Sequence, residues 1–144
     1  MFHHTHRIKT QAVDLTTLWQ VWSDVNSWAQ WQADIEYAQL ETEFATGQYF
    51  IFKPKGGPKL RLGLVYVSPE RCFIDVTCFF GAQLIDSHEF IQHDDGVEII
   101  TTLTLFFSLA WLWQRLVVND IASSLPEQTK ASIEHATSIA HNGA

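Results

Sequence analysis

The sequence predicts an α+β domain in which a curved antiparallel sheet of about seven strands wraps around one long C-terminal helix. Two observations carry this prediction. The spacing of apolar residues is helical near the N-terminus, alternating through the middle of the chain, and helical again in the last third. In addition, 144 residues suit a single domain covering 1–144, because that length buries a real hydrophobic core.

The N-terminal third predicts one strand followed by two short helices. The segment FHHTHRIKTQ alternates loosely, as a strand does, and Asp14 is a suitable N-cap for the helix LTTLWQVW. Residues in SDVNS compete for helical backbone hydrogen bonds, so this helix should end before a second short turn that carries Trp28 and Trp31. The apolar stripe of the first helix comprises Leu15, Leu18, Trp19 and Trp22.

The middle of the chain predicts six strands joined by tight turns. The loop PKGGPK, the residue Gly81 and the segment HDDG are the clearest turn signals. Short alternating segments separated by such turns are typical of an antiparallel meander. The six segments are DIEYAQLETE, GQYFIFKP, LRLGLVYVSP, RCFIDVTCFF, AQLIDSHEFIQH and VEIITTLTLFF.

The last third predicts the long helix that covers the sheet. Pro126 lacks a backbone donor and is expected to kink or divide this helix near its middle. A sheet of this length must curl, and a curled sheet closed by one helix leaves space between the two. The apolar face of the helix comprises Leu109, Leu112, Leu116, Ile121, Leu125, Ile133 and Ala136.

Charge and composition exclude several classes of function. The net charge of −7, with nine scattered Lys and Arg residues, argues against nucleic acid as a partner. The longest apolar stretch, LTLFFSLAWLWQRLVV, is too short to cross a bilayer and contains Arg115, so stable membrane insertion is not expected. Cys72 and Cys78 are too far apart along one strand to form a disulfide, and no secretory leader is recognisable. Reduced thiols and a cytoplasmic location are therefore expected.

Several stretches resemble the START-related polyketide cyclase/dehydrase (SRPBCC, Bet v 1-like) superfamily. They are LWQVWSDVNSWAQWQADIEYAQL with ATGQYFIFKPKGGP, then CFIDVTCFFGAQLIDSHEF, and finally LAWLWQRLVVNDIASSLP. The resemblance runs from about Thr10 to the C-terminus, and it implies a helix-grip fold with a deep pocket between the sheet and the last helix. The superfamily's tryptophan-bearing first helix and D-x-x-x-W-x-x-W pattern correspond to Trp19, Asp24, Trp28 and Trp31.

The resemblance implies a hydrophobic or aromatic small molecule as ligand, such as a lipid, a polyketide or an isoprenoid-like compound. No cofactor is expected. Binding without catalysis is our main hypothesis, since burial of apolar surface alone gives substantial affinity. An enzyme, a polyketide cyclase or dehydratase, is the first alternative. A protein-interaction module that uses the segment LAWLWQRLVV is the second, and a homodimer formed through that helix is a further hypothesis.

The predicted inner face of the sheet follows from strand alternation and from the resemblance. Alternation groups Leu60, Leu62, Leu64 and Tyr66 on one strand and Val97, Ile99, Thr101, Leu103 and Leu105 on another. The resemblance turns Phe73, Asp75, Thr77 and Phe79 inward, together with Leu84, Asp86, His88 and Phe90. The opposite face, Cys72, Ile74, Val76 and Cys78, is equally apolar, so strand apolarity leaves the register open. The expected apolar lining is Phe50, Phe52, Leu62, Leu64, Tyr66, Phe73, Phe79, Phe90, Leu103, Leu105, Trp113 and Leu116.

Asp86 and His88 are the candidate catalytic residues if this register holds. Two residues apart on one strand, they form a carboxylate–imidazole pair suited to acid–base chemistry in enolisation, dehydration or aldol cyclisation. Asp75 could orient His88 or contact the ligand. Tyr66 and Thr101 are expected to orient the ligand, and Thr77 is expected to contact it. The alternative is that Asp86 and His88 form a structural hydrogen-bonded pair. Trp28 and Trp31 are interpreted as structural wedges, with contact to an aromatic ligand as the alternative.

No metal site is predicted. His4 and His6 share a strand face, but two histidines without a third ligand make a poor zinc site, and His3 lies on the other face. His135 and His141 show no recognisable ligand spacing.

Overall fold

The computed structural model describes residues 2–106, 115 and 119–142, without the side chains of 120, 141 and 142. Seven antiparallel strands form one sheet in the order β1-β7-β6-β5-β4-β3-β2, so that each strand from β2 to β7 pairs with its neighbour in sequence and β1 pairs with β7. The strands are β1 (Phe2–Thr10), β2 (Ile35–Gln39), β3 (Tyr49–Pro54), β4 (Leu60–Ser68), β5 (Cys72–Phe79), β6 (Ala82–His93) and β7 (Gly96–Phe106).

The helical elements also follow the predicted order. Helix α1 (Leu15–Ser23) is capped by Asp14, whose Oδ1 accepts a hydrogen bond from the Thr17 amide at 2.7 Å. A 3₁₀ turn (Val25–Ser27) and the short helix α2 (Trp28–Trp31) follow, and helix α3 (Asn119–Asn142) closes the chain. The predicted architecture, a curved meander with two short helices after β1 and a long C-terminal helix, is confirmed.

Helix α3 runs through Pro126 without a break, so the prediction that proline divides the helix is wrong. Proline removes one backbone hydrogen bond, but Leu125 and Thr129 on either side are buried and hold the helix in place. Within the described residues, no helix is both long enough and apolar enough to cross a membrane. The predicted helical positions Leu109, Leu112 and Leu116 lie outside these residues.

Strand pairing decides the register that the sequence left open. Phe73 lies opposite His88, and Asp75 lies opposite Asp86. Directly opposed residues of an antiparallel pair project from the same face, and this face of β5 and β6 is the buried one. The inward register is confirmed for both strands, because the alternative set on β5 (Cys72, Ile74, Val76 and Cys78) is partly or fully exposed.

A β-bulge in β4 corrects one prediction. The pairing of β4 with β5 shifts between Leu64 and Tyr66, so that Val67 and not Tyr66 lies opposite Phe73 and packs against the core. Tyr66 is 49% exposed. It therefore does not continue the inner face begun by Leu62 and Leu64, and its assignment to the pocket lining is wrong.

The inner face carries two separate apolar clusters. The tryptophan cluster gathers the residues of α1 and α2 against β3–β7; its large members include Trp19, Trp22, Trp28, Trp31, Phe50, Phe73, Phe90 and Ile99. The leucine cluster lies toward the other end of β5, β6 and β7 and packs against the start of α3. It comprises Ala82, Leu84, Leu103, Leu105, Ala122 and Leu125, with Phe2, Phe79 and Ile121 partly buried around them.

Candidate functional site

Three ionisable side chains converge on the inner face of the central strands. Asp75 on β5 and Asp86 and His88 on β6 each offer a ligand atom, and these atoms lie within 4.8 Å of one another. The His88 Nε2 atom is 3.2 Å from Asp86 Oδ1. We call this group the Asp–Asp–His trio. Cross-strand pairing creates it, since Asp75 and Asp86 are direct partners in the ladder.

The imidazole of His88 is held on several sides. His88 is 2% exposed, and its Nδ1 lies 3.4 Å from the Thr101 hydroxyl of the neighbouring strand β7. Its ring stacks on Phe73, with 4.5 Å between ring centroids, and lies 4.6 Å from the ring of Trp22. Packing against two aromatic rings restricts the imidazole to one orientation, with Nε2 directed toward Asp86.

The two carboxyl groups of the trio differ in environment. Asp75 is 3% exposed, and burial, with a smaller contribution from the charge of Asp86, raises its pKa well above the usual range. The Asp86 side chain faces the same interior yet remains 21% exposed. Its Oδ1 atom is buried without a hydrogen-bond partner among the described residues, so the 3.2 Å contact with His88 is a close electrostatic contact and not an aligned hydrogen bond.

This arrangement has the chemistry of an acid–base or polar recognition site. A protonated Asp75 can donate a hydrogen bond, a charged Asp86 can accept one, and His88 can do either. Of the three side chains, that of Asp86 is the most exposed to solvent. Unsatisfied polar atoms inside an apolar interior cost free energy until a partner reaches them.

The tryptophan-rich segment serves mainly as packing. Trp28 donates a hydrogen bond from Nε1 to the Trp22 carbonyl oxygen at 3.0 Å, and the rings of Trp22, Trp28 and Trp31 meet edge to face. These side chains fill the part of the inner face next to Phe73. The structural interpretation of Trp28 and Trp31 agrees with these contacts.

The other predicted lining residues divide between the two clusters. Leu103 and Leu105 are buried in the leucine cluster, where Phe79 packs partly exposed, and Thr77 is buried on the same face. Trp113 and Leu116 lie outside the described residues. The tryptophan cluster contains Phe50, Leu62, Leu64, Phe73 and Phe90, and Phe52 is partly buried against it. Whether any of these side chains contacts a ligand stays a prediction.

Sequence reasoning overlooked the inner face of β1. His4 lies opposite Leu103 and His6 opposite Thr101, so both imidazoles project from the same side of the sheet as the trio. The His6 Nε2 atom is buried and has no hydrogen-bond partner among the described residues. Phe2, His4, His6 and Ile8 occupy every second position of β1 and so share one face. The apolar residues Phe2 and Ile8 were the signal that could have placed the two histidines on the inner face.

Comparison with known proteins gives structural likeness and no sequence match. No family model matches the chain, and no curated protein matches it. A hypothetical protein from Helicobacter pylori superposes with a TM-score of 0.76 at 11% identity, over 94% of this chain and 88% of that one.

Two further solved structures have descriptive names. Norcoclaurine synthase from Thalictrum flavum, in complex with dopamine and hydroxybenzaldehyde, gives a TM-score of 0.71 at 11% identity, over 99% of this chain and 88% of that one. A START superfamily protein from Mycobacterium smegmatis gives 0.69 at 12% identity, over 94% and 97%. At this level of identity the likeness concerns the fold. The resemblance seen in the sequence is therefore confirmed as a shared architecture, and the chain has the helix-grip fold of START-related proteins.

Proposed function

We propose that this protein binds a hydrophobic or aromatic small molecule, with a polar group of that molecule at the Asp–Asp–His trio. The observation that carries the proposal is the exposure of the Asp86 side chain, 21%, on the inner face of the sheet. An accessible carboxylate between two apolar clusters is suited to a ligand that has an apolar body and a polar end. A fold shared with a synthase that holds two small aromatic molecules supports the same class of ligand.

The apolar part of the ligand is expected beside the leucine cluster. The tryptophan cluster already fills the other side of the trio with large rings. Beside the leucine cluster, Phe79 is only partly buried, and Leu84 on the neighbouring strand packs against helix α3 residues of small or moderate size, Ala122 and Leu125. These features support a position for the proposed ligand between β5–β7 and the first half of α3.

Substitution of Leu84 by phenylalanine tests this position. If space for a ligand lies beside the leucine cluster, Leu84→Phe fills part of it, so an apolar fluorescent dye should bind at least tenfold more weakly. The thermal midpoint of unfolding should change little, because an added ring that enters free space causes no overpacking. Dye titration and circular dichroism melting measure the two quantities.

Ile99→Phe is the matched control on the same sheet face. Ile99 is buried in the tryptophan cluster, where an added ring has no free space and should destabilise the fold by about 1–3 kcal/mol while dye affinity is kept. If the unmodified protein does not bind the dye, or if both variants lose stability equally and dye binding is unchanged, the proposal is wrong.

Acid–base catalysis on the bound molecule is the second candidate function. The close approach of His88 Nε2 to Asp86 Oδ1, together with the raised pKa of Asp75, favours it. In this scheme one group of the trio removes a proton next to a ligand carbonyl while another donates to its oxygen. A cyclase or dehydratase acting on a polyketide-like substrate would require this pair of steps.

Proton exchange on a model substrate separates catalysis from binding. An aromatic β-diketone in D₂O should exchange its acidic C–H protons faster with the protein present, as measured by NMR. Asp86→Asn and His88→Ala should each reduce this acceleration by about 10²–10⁴-fold while dye binding is kept. Acceleration that persists in both variants would exclude the trio as the catalyst, and equal loss of dye binding would indicate structural damage.

The interaction-module hypothesis rests on the segment LAWLWQRLVV, of which the described residues include only Arg115. No observation favours it over ligand binding.

A further inference from the structure

We propose that Asp75, Asp86 and His88 form a binding site for a divalent transition-metal cation. The site is distinct from His4 and His6, the pair of histidines that the sequence analysis considered and rejected as a zinc site. It also goes beyond the proposed binding of an apolar molecule, and it does not depend on that function, since a cation can be titrated with no organic ligand present.

The donor set suits a first-row divalent cation. Two carboxylate oxygens and one imidazole nitrogen are ligand types that zinc accepts in proteins, and three protein ligands leave positions for water or substrate. Metal–ligand bonds of about 2.1 Å hold ligand atoms about 3–3.5 Å apart. The His88 Nε2 to Asp86 Oδ1 distance of 3.2 Å already falls in that range, and all three atoms lie within 4.8 Å.

Two features of the site favour a cation between its carboxyl groups. Asp75 is 97% buried, its carboxyl group points into the trio, and no described residue donates a hydrogen bond to it. The buried Oδ1 atom of Asp86 likewise accepts no aligned hydrogen bond. Two carboxyl groups side by side repel each other when both are charged, and a divalent cation between them removes that repulsion.

His88 is also prepared for coordination through Nε2. Its Nδ1 lies 3.4 Å from the Thr101 hydroxyl, and a proton on Nδ1 that is donated to this oxygen leaves the lone pair on Nε2. Such a contact to the distal nitrogen is typical of metal-binding histidines, because it fixes both the tautomer and the ring orientation. Stacking against Phe73 prevents the ring from turning away.

Calorimetric titration of tag-free, chelator-stripped protein with ZnCl₂ tests the site. One equivalent of zinc should bind, and Asp75→Asn and His88→Gln should each weaken binding at least tenfold. Thr101→Val, which keeps all three ligands, should weaken it about 10–100-fold through the loss of ring orientation. Circular dichroism establishes that each variant is folded, and Thr101→Val keeps the test decisive if a ligand variant does not fold.

Two controls separate this site from other donors. The double variant His4→Gln/His6→Gln and the surface variant Asp95→Asn should bind zinc as the unmodified protein does. Titration with CoCl₂ should give no thiolate charge-transfer band, because Cys72 and Cys78 project from the other face of β5. Absence of saturable binding, loss of binding only in the histidine double variant, or a thiolate band would each overturn the proposal. None of these outcomes bears on dye binding, which Leu84→Phe tests separately.

Discussion

At the scale of single residues, Asp75 is the side chain whose environment departs most from that of an ordinary surface carboxylate. It lies on a central strand, 3% exposed, and faces Asp86 across the ladder. Burial disfavours its charged form, and the neighbouring carboxylate adds to the effect, so both causes raise the pKa. A buried acid in this position costs stability at neutral pH, where its charged form is disfavoured by burial.

The raised pKa of Asp75 gives a pH dependence with a definite sign. Because the folded-state pKa lies above the usual value of an aspartate, its contribution to stability is fully present below that usual value and is lost as pH rises through the folded-state pKa. Asp75→Asn should remove this loss. In chelator-treated protein, the variant should therefore gain free energy of unfolding relative to the unmodified protein as pH is raised from about 4 to 8.

Asp95 provides a control of opposite sign. Its hydrogen bond with Lys9 lowers the pKa of this exposed carboxyl, so its contribution is present above the usual pKa and is lost as pH falls. Asp95→Asn should not reproduce the effect of Asp75→Asn. Denaturant titrations at several pH values measure both differences. A constant difference between the unmodified protein and Asp75→Asn across this range would contradict the assignment.

At the scale of elements, the β4 bulge and the short helix α2 shape the inner face. Because of the bulge, Val67 and not Tyr66 lies opposite Phe73 on the inner face, so the phenol of Tyr66 lies outside the interior. Helix α2 brings Trp28 and Trp31 over the sheet and is joined to α3 by a polar contact: Gln128 donates from Nε2 to Gln32 Oε1 at 2.8 Å. This contact spans 96 residues in sequence.

A double-mutant cycle measures the link between α2 and α3. Gln32→Leu or Gln128→Leu alone should destabilise the protein by about 1–3 kcal/mol, because each leaves the other amide, buried in Gln32 and partly buried in Gln128, without its partner. The double variant should be close to neutral or more stable, since Gln32 Nε2 and Gln128 Oε1 are already buried without partners. Additive losses in denaturant unfolding would show that the two amides do not interact.

At the scale of the whole molecule, the inner face of the sheet presents two adjacent rows that contain polar side chains, and these rows lie between two apolar clusters. The rows can be followed across the strands: His6, Thr101, His88 and Phe73 form one, and His4, Leu103, Asp86 and Asp75 form the next. The tryptophan cluster closes one side of these rows and the leucine cluster lies on the other. The proposed ligand binding, catalysis and cation binding all involve this central location, where Asp75 and His88 are buried and Asp86 is partly buried.

The sequence by itself determined the class and order of the elements. Changes in apolar periodicity, the cap at Asp14 and the turn signals at Gly81 and HDDG act within a few residues, so they can be recognised without tertiary information. The inner face of β7, with Ile99 and Leu103, was predicted for the same reason.

Only the tertiary structure decided which face of β5 and β6 is buried, since both faces of β5 are apolar and a shift of one residue exchanges them. It also decided the bulge that exposes Tyr66 and the inward position of His6. The Asp–Asp–His trio belongs to this group as well. Asp75 and Asp86 are eleven positions apart in the chain, and only strand pairing, which depends on contacts across the sheet, brings their carboxyl groups together.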